Sequence, residues 1–371
     1  MKLLMCAPCL LGVEGLVSDE LKQLGAENVR AENAKVYFEG DETILARANI
    51  WSRFAERIQI VLDEFNAVTF EELFQGVKAL PWSEFIGSRD TFPVKGFSLN
   101  SALHSVPDCQ KIIKKAIVES MKPDYGISYF EETGPVHQVQ FSIMKDKVSV
   151  MLDTSGAGLH KRGYRPVGND APIRETLAAA MCSLSHLRHY HTLYDPCCGS
   201  GTILIEGALL ANNIAPGINR NFDVDRWGFI PENIWMAERE RCHDLMKRDT
   251  DFVAFGSDVD SRAIELTQAN GKRARVTKYL RLSTADVRRF QPTTEKGTLV
   301  TNPPYGERML DIKEAESLYR AMGERFVAKH GWSYGIISPD EEFEKCFGRK
   351  ADKRRKLYNG MIKCQYYMYF K

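Results

Sequence analysis

Apolar positions along the chain alternate between helical and strand spacing, and the alternation divides it into three stretches. Over residues 1–65, Leu3 to Cys6 is a continuous apolar run, Val13 to Leu24 repeats apolar positions at helical spacing up to Gly25, and Val36-Tyr37-Phe38 reads as a strand. Glu42 to Asn49 predicts a second helix and Arg57 to Asp63 a further strand. The order strand, helix, strand, helix, strand predicts a small α+β unit. Residues 66–155 predict helices at Phe70 to Ala79 and Pro107 to Met121, and strands at Thr91 to Lys95, Val136 to Met144 and Lys147 to Asp153. A tight Lys145-Asp146 turn joins the last two strands. In residues 156–371 short apolar strands at His191 to Tyr194, Val253 to Ser257, Leu280 to Ser283, Leu299-Val300 and Ser333 to Ser338 alternate with helical patterns, among them Ser261 to Ala274 and Glu314 to Lys329. That is the pattern of an open α/β sheet. Asn359-Gly360 between alternating segments predicts a closing hairpin with those two residues in its turn. Asn212 to Asp249 is an insertion of free length.

Composition narrows the partners. At 371 residues, 44% hydrophobic and 27% charged, the chain has ordinary globular composition and room for several cores. No run reaches the roughly 20 apolar residues that a membrane span requires, and the start is expected to be a folded strand and helix instead of a signal peptide. Nine cysteines lack framework spacing, as expected of reduced thiols in a cytoplasm. Cys6-Ala-Pro-Cys9 has no companion pair, and no metal is expected. A net charge of +1 confines any nucleic-acid surface to local patches. The candidates are Lys111, Lys114 and Lys115, on the outer face of the Pro107 helix; Lys161, Arg162 and Arg165; Lys272 to Arg281; and Lys353 to Lys356.

The chemistry concentrates in two stretches. LYDPCCGSGTILIEGALLANNIA, Leu193 to Ala215, places a strand end, a glycine turn and a helix in succession. Gly199 and Gly201 permit positive φ and close ligand approach, Ser200 or Thr202 is positioned to cap, and the helix start offers free N–H groups. A triphosphate loop requires a Lys that does not follow Gly201, and a dinucleotide turn a third glycine where Leu204 stands. S-adenosylmethionine, which has no phosphate, is the third ligand; Asp195 at the strand end meets its charged amino-acid part, with Pro196 and Cys197 in the turn. Asp258, ending the next strand, is the expected ribose ligand, with Asp260 as alternate.

TLVTNPPYGERM, from Thr298 to Met309, is the second. Consecutive prolines end a strand in a rigid, extended turn. An exocyclic base amine is conjugated with its ring and is a poor nucleophile. The Asn302 side-chain carbonyl and the Pro303 backbone carbonyl can accept its two N–H groups and aim its lone pair, Pro304 stiffens the turn, and Tyr305 can stack on an extruded base.

DPCCGSGT followed by TNPPYGERM resembles the amino-methylating class I methyltransferases. The whole chain resembles the THUMP-containing RNA guanine-N2 methyltransferases, in particular the guanine-N2-methylating amino-terminal half of bacterial 23S ribosomal RNA methyltransferases. The resemblance implies an α/β fold: a Rossmann-like class I methyltransferase sheet, preceded by ferredoxin-like and THUMP domains. It further implies a cytoplasmic enzyme that uses S-adenosyl-L-methionine on structured RNA, either ribosomal RNA, a pre-ribosome or tRNA, without an obligate protein partner. Pro172, Arg174 and Glu175 are then cofactor neighbours, Asn302 borders the cofactor, and Asp286 meets the adenine amine or else caps the turn from Val287. The related ribosomal enzyme is in some bacteria fused to a second methyltransferase half, which this chain lacks. DNA adenine-N6 methylation and a non-catalytic RNA-binding role remain as alternatives.

Overall fold

The structure, a computed structural model, describes residues 2–166, 173–305 and 312–370. Pro172 and the end of the second motif beyond Tyr305 lie outside the described residues.

The amino-terminal half contains β1 (Leu3–Pro8), α1 (Glu14–Gln23), β2 (Glu27–Glu32), β3 (Lys35–Gly40), α2 (Glu42–Trp51) and β4 (Gln59–Asn66). It continues with α3 (Phe70–Lys78), β5 (Val94–Leu99), α4 (Val106–Tyr125), β6 (Gln138–Met144) and β7 (Lys147–Asp153). These strands form one seven-stranded sheet of order β2-β3-β1-β4-β7-β6-β5. The two amino-terminal units therefore share a sheet, because β4 pairs antiparallel with β7 from Gln59↔Asp153 to Asn66↔Lys147. Strand β2 has no counterpart in the hydrophobic pattern: it is a mostly exposed edge strand, and its sequence ENVRAE has charges where an edge needs them. Lys145 and Asp146 both take positive φ, 52° and 65°, as a two-residue hairpin turn requires.

The carboxy-terminal half contains α5 (Glu175–Leu184), β8 (Thr192–Asp195), α6 (Thr202–Ala211), α7 (Glu232–Leu245), β9 (Val253–Asp258), α8 (Ser261–Arg273), β10 (Leu280–Thr284) and β11 (Gly297–Thr301). It ends with α9 (Ile312–Arg325), β12 (Trp332–Ser338), α10 (Phe343–Phe347), β13 (Lys353–Asn359) and β14 (Ile362–Tyr369). The second sheet runs β10-β9-β8-β11-β12-β14-β13, with five parallel strands and β14 antiparallel to β12. Every residue of β11 is buried, as expected of a parallel strand covered on both faces. From β8 the chain first builds outward through β9 and β10, then returns to the other side through β11 and β12. The crevice at the carboxyl ends of β8 and β11 is thus the switch point where such sheets bind ligands.

The closing hairpin differs from its expected form by one residue. Asn359 still pairs with Ile362, so Gly360 and Met361 form the turn. Gly360 has φ 66° and Met361 is absent from the positive-φ residues, which fits a turn with glycine first; a turn on Asn359-Gly360 would need positive φ at both. Asn359 is released from turn duty and buried. Among the described residues no helix is long and apolar enough to cross a membrane.

Buried polar contacts bind the two halves. Arg162, expected at an RNA surface, is 7% exposed and donates to the Leu159 and Arg53 carbonyls, each at 2.6 Å, with Glu206 at 3.5 Å. Tyr164 donates its hydroxyl to the other Glu206 oxygen at 2.9 Å, and Arg53 reaches the Ile214 carbonyl at 2.9 Å. The insertion is not free surface either: Trp227 stacks on His137 at 4.3 Å and donates to the Val136 carbonyl, while Phe229 lies 5.6 Å from Phe85. Because a buried carboxylate left without its cation is costly, Arg162→Met is expected to lower unfolding stability by about 3 kcal/mol in denaturant titrations. Lys161→Met, on an exposed neighbour, should change it by less than about 0.5 kcal/mol. Equal effects would contradict the packing role of Arg162.

Candidate active site

Strand β8 delivers Asp195 to the switch point with only 1% of its surface exposed. One of its oxygens accepts the Thr301 hydroxyl at 2.7 Å and the Cys197 N–H at 3.2 Å. Thr301 ends β11, so this bond ties the strand of the first motif to that of the second. Burial pushes the Asp195 carboxyl up to about 7; the Asp258 charge adds to the rise and the two hydrogen bonds oppose it. The Cys197 thiol is pushed well up by burial, which leaves it protonated and unsuited to be a nucleophile.

The glycine turn is built as the sequence reading requires, with a different cap. Gly199 has φ 53° and Gly201, at the N-cap of α6, φ 79°. Neither Ser200 nor Thr202 caps the helix, since the N-cap is Gly201 and no side chain bonds there; the two hydroxyls lie 3.2 Å apart. A Cβ on Gly201 would also lie 2.5 Å from the Thr267 methyl. Thr267 donates to the Gly199 carbonyl at 2.8 Å and Asn270 to the Ser200 carbonyl at 3.0 Å. The role of these two α8 residues was not foreseen. The available signal was a polar pair three residues apart on a helix face that turns out to be buried.

Asp258 supports the same turn: its oxygens accept the Gly199 N–H at 2.9 Å and the Asp260 N–H at 3.0 Å. Asp260 caps α8 and pairs with Arg262 at 3.0 Å. Asp286 caps the short Val287–Arg289 turn through the Arg288 N–H, a bond that holds its carboxyl below the usual range. It also lines a cavity of about 250 Å³, together with Asp195, Pro196, Ser257, Ser283 and Ala285, against the rings of Tyr194, Phe255 and Phe290. The structure shows the cap, and it places Asp286 at the cavity wall.

The remaining expected residues divide. Glu175 is 4% exposed and lies 3.0 Å from Arg165, in an ion contact that is not aligned as a hydrogen bond; burial raises its carboxyl. Arg165 also donates to Thr202 at 2.8 Å and to the Ile173 carbonyl at 2.9 Å, so it is committed to the turn and not to an outer surface. Arg174 is exposed and approaches Glu56 at 3.4 Å. Lys111, Lys115 and Lys161 are exposed. Lys114, expected beside them, turns inward: it meets Glu132 at 2.6 Å, the Phe92 carbonyl at 2.9 Å and the Phe92 ring at 3.4 Å.

Beyond β11, the Asn302 carbonyl oxygen Oδ1 is shielded from solvent and has no hydrogen-bond partner among the described residues. Such an acceptor costs about 1–3 kcal/mol until something donates to it. Tyr305 is 5% exposed, and its hydroxyl accepts from Asn359 Nδ2 at 2.7 Å. Stacking a base on this ring requires the contacts around it to open. An unmet carbonyl acceptor and a carboxylate that gains its charge with difficulty suit a ligand with N–H and ammonium groups, and the uncapped helix start offers N–H donors to an acceptor on the same ligand.

The chain is similar to known proteins along its whole length. Residues 162–368 match the UPF0020 family model, an RMKL-like methyltransferase domain; residues 5–59 match an RlmL ferredoxin-like domain and residues 67–153 a THUMP domain. The chain is 43% identical over its full length, and 96% of the relative's, to "Putative RNA methyltransferase YpsC" of Bacillus subtilis. It is 33% identical over 98% of its length to the ribosomal RNA large subunit methyltransferase K/L of Cellvibrio japonicus, of which it spans 50%. Among solved structures, a "predicted N6-adenine-specific DNA methylase" from Listeria monocytogenes superposes with a TM-score of 0.94 at 42% identity, covering 100% of this chain and 96% of that one. SMU.472, "a putative methyltransferase complexed with SAH", gives 0.93 at 39%, covering 100% and 98%. The chain belongs to the UPF0020, RMKL-like methyltransferase family.

Proposed function

We propose that the protein methylates the exocyclic N2 amine of guanosine in large-subunit ribosomal RNA, with S-adenosylmethionine as methyl donor. The observation that carries the chemistry is the unmet, buried Asn302 carbonyl at the switch point. An RNA substrate is supported by the THUMP match and by the names of the relatives.

The residues present fit the cofactor. Asp195 would meet its ammonium group, and the Gly199 to Thr202 turn leaves backbone N–H groups of α6 without a side-chain cap. The cavity beside Asp286 has aromatic walls for a flat ring and a carboxylate for its amine. When bound, S-adenosylmethionine supplies an electrophilic methyl group.

The chain's own residues handle the acceptor. Asn302 Oδ1 and the Pro303 carbonyl take the two amine N–H groups and turn the nitrogen lone pair out of conjugation with the ring. Tyr305 holds the plane of the extruded base. As the N–C bond forms, the S–C bond breaks and its electron pair stays on sulfur; the amine then gives one proton to solvent or a local acceptor. Neither a metal nor a thiolate is needed.

Asn302→Ala is expected to lower the transfer rate by roughly a hundredfold or more while S-adenosylhomocysteine still binds with an affinity within about tenfold of wild type. Full transfer activity in that variant would contradict the proposal. The pH dependence of ligand binding follows from Asp195. Its folded pKa of about 7 lies above the ordinary carboxylate value, so in the ligand-free protein the neutral form is favoured and ionisation costs stability as pH rises. An ammonium ligand favours the ionised form. Calorimetric affinity for S-adenosylhomocysteine is therefore expected to strengthen from about pH 6 to about pH 8, and Asp195→Asn to weaken binding and flatten that slope. In the ligand-free state at about pH 8, the same substitution should raise Tm by a few degrees.

A further inference from the structure

We propose that Asn359 is a positioning residue for the base-holding turn and acts by fixing Tyr305 from the closing hairpin. The inference rests on the proposed role of Tyr305 in holding the acceptor base.

Asn359 is an unusual residue for its position. It is the last residue of β13, 2% exposed, and asparagine is poorly suited to a buried strand. The turn does not explain it, because Gly360 and Met361 make the turn and Asn359 keeps a regular pairing with Ile362. What its side chain does is donate Nδ2 to the Tyr305 hydroxyl at 2.7 Å, a buried bond between residues 54 apart in sequence. A buried amide that lost this partner would carry the cost of an unmet donor, so the pairing is specific.

The placement of this bond gives it a function. Tyr305 lies three residues beyond Asn302, on an extended turn that leaves the sheet. Strand β13 is held in register by seven successive pairs with β14, and β14 by five pairs with β12, which neighbours β11. The Tyr305 hydroxyl is thus tied to the same sheet that presents Asn302, and its ring can keep one orientation while the contacts over its face open to admit a base. Without the tie, the hydroxyl end of the ring loses its link to the sheet, and reacting atoms displaced by about 1 Å can cost on the order of a hundredfold in rate.

The test compares Asn359→Leu, Asn359→Asp, Tyr305→Phe and the Asn359→Leu/Tyr305→Phe double variant, assayed as full chains on total RNA from a strain lacking the protein. Thermal unfolding and calorimetric binding of S-adenosylhomocysteine are measured alongside. Asn359→Leu and Tyr305→Phe are each expected to lower kcat by roughly tenfold or more. The KM for S-adenosylmethionine and the affinity for S-adenosylhomocysteine should stay within about twofold, since neither residue lines the cavity beside Asp286. The double variant should be little slower than the slower single one, because both substitutions remove the same Asn359–Tyr305 bond. Asn359→Asp, whose carboxylate can accept the phenol proton, should recover most of the rate. Wild-type kcat in Asn359→Leu, or effects that multiply in the double variant, would overturn the assignment while leaving the methylation reading intact. A wild-type protein that methylates no RNA in the sample would overturn both.

Discussion

The hydrogen bond from Thr301 to Asp195 is the contact on which the active centre depends. It joins the ends of β8 and β11, adjacent parallel strands separated by more than a hundred residues, and sets the glycine turn beside the Asn-Pro-Pro-Tyr turn. Both turns need a rigid frame, because one must leave helix N–H groups open and the other must hold a carbonyl without a partner. The frame is a parallel strand pair buried on both faces, where a shift of register would remove apolar side chains from two layers at once. The same burial pushes the Asp195 carboxyl up to about 7, so its ionisation is disfavoured compared with an ordinary carboxylate. On the proposed reading, a ligand with an ammonium group would favour the ionised form.

Around this frame the remainder of the molecule acts as a fixed arm. The shared amino-terminal sheet, the Arg162–Glu206–Tyr164 cluster and the Trp227–His137 stack hold the THUMP region against the methyltransferase sheet by buried and aromatic contacts. A flexible tether would let an RNA held by one half sample many distances from the other half. Packed contacts of this kind restrict the distance, so under the proposed function the position at which an RNA is gripped would select which nucleotide reaches Asn302. The exposed Lys111, Lys115 and Lys161 remain available to such an RNA, whereas Lys114, Arg162 and Arg165 are committed within the fold.

The parts legible in the sequence were those encoded locally. Helical spacing located most of the helices, the apolar runs located the parallel strands, and the glycine and proline turns declared the two motifs. What escaped depended on distant partners. Strand β2 has no apolar face because it lies at an edge, and α7 was obscured by its polar composition within an insertion. Arg162 and Lys114 looked like surface cations, since a lone basic residue carries no sign of whether a carboxylate such as Glu206 or Glu132 will be folded against it. The Asn-Gly signal correctly located a hairpin and misplaced its turn by one residue. That shift moved Asn359 from solvent to Tyr305, and so the partner of the Tyr305 hydroxyl was hidden behind a turn motif.

The account's central claim concerns the acceptor, and one experiment addresses it directly: transfer of labelled methyl groups to ribosomal RNA, tRNA and DNA from a strain lacking the protein, followed by nucleoside analysis of whichever is labelled. The account predicts label as 2-methylguanosine in large-subunit ribosomal RNA. Label as 6-methyladenine in DNA, with none in RNA, would contradict it.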